Sequence, residues 1–267
     1  MTDAVLDRSR YGAWAVIAGG SDGTGACFAA EAAASGINLL LVARRPAPLE
    51  ALAAELRRKY GVEVRTLSLD LNAADAAQRM AEAAKDLEVG LYISNAGAEK
   101  GGHYFHDTPW ETIQGLIARN VLTATAACHH FGGLMRARGR GGIVLMSSGA
   151  GLGGQPRVAA YSAVKAYVLN LAESLWSELR PCGVDVIGIA APIMETPTLR
   201  ATLGDMQIPD IFDPGEVAHN ALVRLPFGCS YIYSIDGTQE ASEQQTVVRR
   251  ERVVALEKIV NDLFGVQ

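Results

Sequence analysis

The sequence predicts an α/β fold in one domain, a doubly wound parallel sheet of about seven strands with helices on both faces. Three observations carry that expectation. Short apolar, β-branched runs alternate with longer segments of helical period, and the first run passes directly into a glycine-rich turn followed by an alanine-rich stretch. The chain has 267 residues, 49% of them hydrophobic and 28 of them glycine, enough to bury a substantial core. The apolar runs fall at 13–18, 38–42, 62–67, 91–94, 143–146, 184–190 and 231–234, and the helical segments at 25–35, 49–60, 73–85, 109–138 and 160–180. Strand and helix alternating in this way imply a parallel sheet covered on both sides, with ligands bound outside the carboxyl ends of the strands.

The first strand runs into Gly19-Gly20-Ser21-Asp22-Gly23-Thr24-Gly25. Gly19 allows a tight turn, Gly23 lets the backbone approach a pyrophosphate, and Gly25 brings helix close to sheet with its N-terminus toward the phosphates. A turn of this kind between strand and helix marks a Rossmann-type dinucleotide site, with Ser21, Asp22 and Thr24 as its polar members. The second strand ends in Arg44-Arg45, and no acid occurs between Glu31 and Glu50. An acid at this point would hold a ribose 2′-hydroxyl, whereas arginine accommodates a 2′-phosphate. NADP(H) is therefore favoured over NAD(H), with Arg44 as the main contact, Arg45 as a second and Ser21 as a phosphate ligand. Asp70, followed by Leu71 after the third strand, can accept from the adenine amino group or cap the next helix.

Charge and composition exclude several classes of partner. The formal charge is −5 and there is no basic cluster, which argues against nucleic acid or an anionic membrane as partner. Asp3 and Asp7 stand where a signal peptide would need an apolar core, and no apolar run reaches membrane-spanning length, so a cytoplasmic protein is expected. Cys27, Cys128, Cys182 and Cys229 are scattered without metal-ligand spacing and read as reduced thiols, mostly buried. His129 and His130 point about 100° apart on a helix and would not chelate one ion; no metal is expected.

The chemistry centres on Tyr161-Ser162-Ala163-Val164-Lys165. Positions i and i+4 share a helix face, so phenol and ammonium can share one site. An unperturbed tyrosine titrates near ~10, and moving it to about 7 requires roughly 4 kcal/mol of differential stabilisation of the phenolate. A cation about 5 Å away at an effective dielectric of ~20 supplies roughly 3 kcal/mol, most of what is needed.

With these residues stand Asn95-Ala96-Gly97 after the fourth strand, Asn120 in the long helix, and Ser148, thirteen positions before Tyr161. In this order the motifs resemble the short-chain dehydrogenase/reductase family over nearly the whole chain. The resemblance implies an Asn120–Ser148–Tyr161–Lys165 tetrad and a cofactor floor shaped by Asn95, Ala96 and Gly97. It implies an oxidoreductase that interconverts a ketone and a secondary alcohol. Tyr161 would then act as general acid and base, Lys165 would lower its pKa and hold the nicotinamide ribose, Ser148 would bond the carbonyl oxygen, and Asn120 would position a relaying water. Strand alternation sets Ser147 apart as the structural neighbour. Ala191-Pro192 replaces the family's usual Pro-Gly, which alters the turn before Ile193 and Thr196, residues that the resemblance sets against the nicotinamide carboxamide.

Within the family, the lead-in Tyr11-Gly12-Ala13-Trp14, the segment Asp107-Thr108-Pro109-Trp110, His129-His130 and Thr196-Pro197-Thr198-Leu199 are most similar to 7β-hydroxysteroid dehydrogenases. Core packing of Trp14 and Trp110 explains two of these equally well. A hydroxysteroid or other bulky hydrophobic carbonyl is the substrate this implies. Met194, Leu199, Leu203, Met206, Ile208, Ile211 and Phe212 supply an apolar cover for it.

Residues 1–240 are read as the Rossmann domain with a substrate lid over about 193–225, and 241–267 as an amphipathic helical extension. In the extension Val247, Val248, Val253, Leu256, Ile259, Val260, Leu263 and Phe264 recur at helical spacing, to pack on the chain's own domain or on a partner subunit. The family commonly associates through its fourth and fifth helices, which implies a homodimer or homotetramer. A non-catalytic NADP(H)-sensing regulator on the same fold is the alternative; retention of both Tyr161 and Lys165 argues for the enzyme.

Overall fold

A computed structural model describes residues 4–98, 101–204, 211–234 and 237–264. The described strands form one parallel sheet in the order β3-β2-β1-β4-β5-β6-β7. They are β1 (Trp14–Ala18), β2 (Asn38–Ala43), β3 (Val64–Ser68), β4 (Val89–Ser94), β5 (Gly141–Met146), β6 (Val184–Ala190) and β7 (Ser230–Ile232). Order runs outward from β1 in one direction and from β4 in the other, so the topological switch lies between them, where a ligand crevice forms. The sheet is buried on both faces, which is why its strands read as continuous apolar runs.

Alternation along β1 sorts the two cores. Ala15 and Ile17 face a layer built from α2 (Gly23–Ala34) and α3 (Pro46–Tyr60), contributing Phe28, Ala32, Leu49 and Leu56. Val16 and Ala18 face Met80 of α4 (Ala76–Ala83), Phe131 and Met135 of α6 (Ala124–Arg138) and Val168 of α7 (Ala159–Leu179). The short helix α1 (Arg8–Tyr11), numbered first in the chain, is clipped to β6 through Asp185, which accepts from Arg10 Nη2 at 2.6 Å and from the Tyr11 hydroxyl at 2.9 Å.

Helix ends account for most boundary differences from the sequence reading. Pro46 occupies the first helical position of α3, where its missing N–H costs nothing, so that helix begins three residues before the expected 49. α4 is shorter than the expected 73–85, because Asp70 Oδ1 accepts from Asn72 N–H at 3.0 Å and Ala73 N–H bonds Asp70 O, turning the chain first. The expected helix 109–138 is continuous but not uniform. It comprises α5 (Trp110–Ile117), a π-helical segment Ala118–Thr123, and α6. Asn120 Nδ2 donates to Leu116 O at 3.0 Å, taking a carbonyl from the backbone ladder where the helix widens.

After β6 come α8 (Pro197–Leu203), α9 (Pro214–Arg224) and α10 (Gln239–Phe264). The lid expected over 193–225 is narrower than that. α9 packs Val217, Ala218, Ala221 and Leu222 into the core beside α2, so it belongs to the scaffold. Met194 and Phe212 form a parallel bridge, with Phe212 N–H donating to Ile193 O at 3.0 Å and Glu195 N–H to Phe212 O at 2.9 Å. Met206 and Ile208 lie outside the described residues, as does the Leu203 side chain.

Trp14 is buried, but Trp110 is 59% exposed at the start of α5, so core packing explains only the first. Cys128 and Cys229 are buried and Cys27 and Cys182 half-buried, all four free thiols; His129 and His130 are exposed. No helix among the described residues is long and apolar enough to cross a membrane.

Candidate active site

The carboxyl ends of β1 to β5 open onto a cleft of about 760 Å3. Its first wall is the glycine turn. A Cβ on Gly25 would lie 1.9 Å from Gly19 O, and one on Gly19 would meet Ala96 at 2.7 Å, so neither position admits a side chain. Asn95 Nδ2 donates to Gly19 O at 3.0 Å, tying the turn after β4 to the turn after β1. Gly19, Ser21, Asp22, Gly23 and Thr24 line the cleft, whereas Gly25 lies beneath it as the packing position.

Arg44, Arg45, Asp70 and Leu71 line the next wall. Arg44 is exposed and makes no ion pair among the described residues, which leaves its guanidinium available to a phosphate. Arg45 differs, because its Nη2 is paired with the Asp22 carboxylate across the mouth of the glycine turn. Asp70 uses one carboxylate oxygen in its turn with Asn72; it does not cap α4.

The floor holds the candidate catalytic group. Tyr161 and Lys165 share one face of α7, with Lys165 Nζ 5.6 Å from the phenol ring centroid. Lys165 is 3% exposed and donates to Met146 O at 2.9 Å. Burial, and after it the positive charge of Arg119, push the Lys165 ammonium down to about 7. The side chain is therefore poised to gain or lose a proton at neutral pH.

Ser147 Oγ donates to Lys165 O at 2.7 Å, and Ser147 is buried where it borders the cleft. Ser148, two residues past β5, caps the turn Gly149–Leu152 with its Oγ accepting from Ala150 N–H at 3.3 Å, and it does not itself line the cleft. Asn120 is buried behind Gly97, where an added Cβ would lie 2.2 Å from Asn120 Oδ1 and 2.6 Å from Lys165 Nζ. Gly97 thus permits asparagine and lysine to close over the same spot.

Of two further expected cofactor contacts, Thr196 lines the cleft and Ile193 does not. Thr196 Oγ1 accepts from Leu199 N–H at 3.2 Å as the cap of α8, and its methyl side rests against Gly23. Ile193 is 52% exposed, does not line the cleft, and its carbonyl is bonded by Phe212. Thr24 Oγ1 donates to Met194 Sδ at 3.4 Å, so the segment after β6 already leans on the glycine turn.

Sequence reasoning missed one wall. Thr112, Gly115 and Arg119 line the cleft from α5 and the π segment, with Asn72 opposite. Arg119 Nη2 donates to Ala98 O at 2.8 Å and Nη1 to Asn72 Oδ1 at 3.4 Å, and Gly115 leaves room for the guanidinium, 3.3 Å from where a Cβ would stand. The 112, 115, 119 spacing is a legible helical stripe, but nothing local says what it faces.

A family model described as short chain dehydrogenase matches residues 13–207. A 7β-hydroxysteroid dehydrogenase of Collinsella aerofaciens is 34% identical over 196 residues, covering 73% of this chain and 74% of that protein. A solved 7β-hydroxysteroid dehydrogenase structure superposes with a TM-score of 0.81 at 29% identity, over 94% of this chain and 98% of the other. A short-chain dehydrogenase from Sphingobium yanoikuyae in complex with NADPH superposes with a TM-score of 0.80 at 29% identity, over 91% and 95%.

Proposed function

The chain belongs to the short-chain dehydrogenase/reductase family, and on that premise we propose that it is an NADP(H)-dependent oxidoreductase interconverting a ketone and a secondary alcohol. The observation that carries the proposal is the pairing of Tyr161 with the buried Lys165 at the foot of the dinucleotide cleft.

The cleft fits a dinucleotide on its own residues. Its glycine turn has no room for side chains at Gly19 and Gly25, and α2 begins immediately behind it with its N-terminal N–H groups toward the cleft. Arg44, with no ion pair among the described residues, supports a 2′-phosphate and hence NADP(H). When bound, the nicotinamide supplies or accepts the hydride.

The chain's own groups do the rest. Tyr161 holds the proton that passes to the substrate oxygen as its carbonyl is reduced, and takes it back in the oxidative direction. Lys165, charged, stabilises the phenolate and holds ribose hydroxyls. Ser148 Oγ already accepts from Ala150 N–H, which leaves its own proton for the substrate oxygen, where it stabilises developing charge. Asn120 directs Nδ2 at Leu116 O and turns Oδ1 toward Lys165 over Gly97, an acceptor for the water that returns protons from solvent. Gly23, Asn95, Ala96 and Gly97 shape the floor, and Thr196 stands at the nicotinamide end beside Gly23, with Ile193 next to it in the chain.

A bulky hydrophobic carbonyl, of which a hydroxysteroid is the model case, is the substrate supported by the likeness to 7β-hydroxysteroid dehydrogenases and by the apolar segment around Met194, Leu199, Ile211 and Phe212. The test is oxidation of NADPH, with NADH in parallel, against a panel of ketosteroids and small ketones. Turnover with NADPH that falls by about 100-fold or more in Tyr161→Phe supports the reading; turnover surviving that change overturns the role of Tyr161.

A further inference from the structure

Lys165 is a nearly fully buried cation, and among the described residues no carboxylate lies within ion-pair range of it. Its Nζ has a carbonyl, Met146 O, and the face of the Tyr161 ring. A buried charge so placed is costly unless an opposite charge joins it.

Among the described residues, the charge that acts on Lys165 is that of Arg119, and it has the same sign. Arg119 stands in the same cleft wall, held in a slot between Gly115, Asn72 and Ala98. Among the described residues, the remaining groups around Lys165 are Tyr161 on its own helix, Met146 O from β5, Ser147 just after it, Gly97 from the turn after β4, Asn120 from the π segment, and the backbone of Gly151. Asp22, Arg44, Arg45, Asp70 and Glu111 line the cleft farther along.

A dinucleotide brings several negative charges into this setting. Resting on the reading of the cleft as an NADP(H) site, we propose that Lys165 takes up a proton from solvent when the cofactor binds, and that Arg119 is the positioning charge that sets the pH range of this uptake. In the empty cleft, burial and Arg119 hold the ammonium down to about 7. Cofactor phosphates offset the Arg119 charge and favour the protonated lysine.

The sign follows from linkage. Below the empty-site value lysine is already charged and binding takes up nothing. Above it, binding must recharge the lysine, so affinity falls up to tenfold per pH unit until the bound-state value is passed. The device would load the general-acid pair with its proton only when the cofactor is in place.

The test is calorimetric titration of NADPH into the full chain between pH 6 and pH 9, in HEPES and in Tris, whose ionisation enthalpies differ. Wild type is expected to take up a large fraction of one proton at pH 8, given a lysine held down to about 7. Arg119→Gln should move the midpoint of uptake upward by about half a unit or more, and Arg119→Lys should restore it. Uptake should persist in Tyr161→Phe and vanish in Lys165→Arg, whose side chain stays charged throughout. Binding with no buffer dependence at pH 8 overturns the proposal, as does an unmoved midpoint in Arg119→Gln. Absence of NADPH binding in wild type removes the cofactor reading itself, a separate result.

Discussion

At the scale of single residues, the candidate site divides into groups readable from short spacings and groups that are not. Arg44 and Arg45 look equivalent in sequence, yet only Arg45 is engaged by Asp22. Arg44→Ala is therefore expected to weaken NADPH binding by about 10- to 100-fold, since a charge-assisted contact contributes roughly 1.5–3 kcal/mol. Arg45→Ala should cost less than about threefold, because an exposed ion pair contributes little; fluorescence titration with NADPH and NADH measures both. Tyr161 and Lys165, and the glycines of the first turn, were legible because their spacing along one helix or one turn fixes their relation, whereas Ser148 and Asn120 came only with the family resemblance. Arg119 and Asn72 were not, because 47 positions separate them and only the fold brings them together. Trp110 shows the converse error: a tryptophan invites a core assignment, and here it sits on the surface.

At the scale of elements, the alternation of strands and helices was legible nearly throughout, since both sheet faces are buried and each strand is therefore an apolar run. The attachment of α10 was not. Its apolar residues suggest hydrophobic packing, yet Val248, Leu256, Ile259, Leu263 and Phe264 are exposed. The helix is held instead by polar contacts, Thr246 Oγ1 accepting from Ile232 N–H at 3.0 Å and Ser242 Oγ from Ser234 N–H at 2.9 Å, and by ion pairs. Arg249 pairs with Glu173 of α7, which also accepts from Ser230 Oγ at 2.9 Å, Arg180 grips Glu257 through contacts of 2.8 and 2.9 Å, and Arg224 pairs with Glu243. Each pair joins segments far apart in the chain, which no periodicity reveals. Glu173→Gln should destabilise the protein by about 2–3 kcal/mol, because the Glu173 charge that balances Arg249 is lost although the side-chain carbonyl oxygen still accepts. Differential scanning calorimetry should then show a melting temperature lower by about 5–10 °C.

At the scale of the whole molecule, one face remains apolar and uncovered. Trp110 at 59%, Ile117 at 37% and Leu122 at 64% exposure lie on α5 and the π segment, on the helix pair through which members of the family commonly associate. A dimer built there should be broken by Leu122→Asp, with sedimentation velocity showing a monomer and far-ultraviolet circular dichroism unchanged; a dimer that survives the change is built elsewhere. The same helix has a second consequence. Through its π segment it serves the cleft at one end, with Arg119 and Asn120, and the core at the other, with Phe131 and Met135. An α-helix turns about 100° per residue, so deleting any one residue between 124 and 130, where the coil is regular, would swing one end against the other. Either the catalytic floor or the hydrophobic layer would then lose its side chains. This stretch should thus accept many changes of letter and no change of length, a constraint on the gene that composition alone would not disclose.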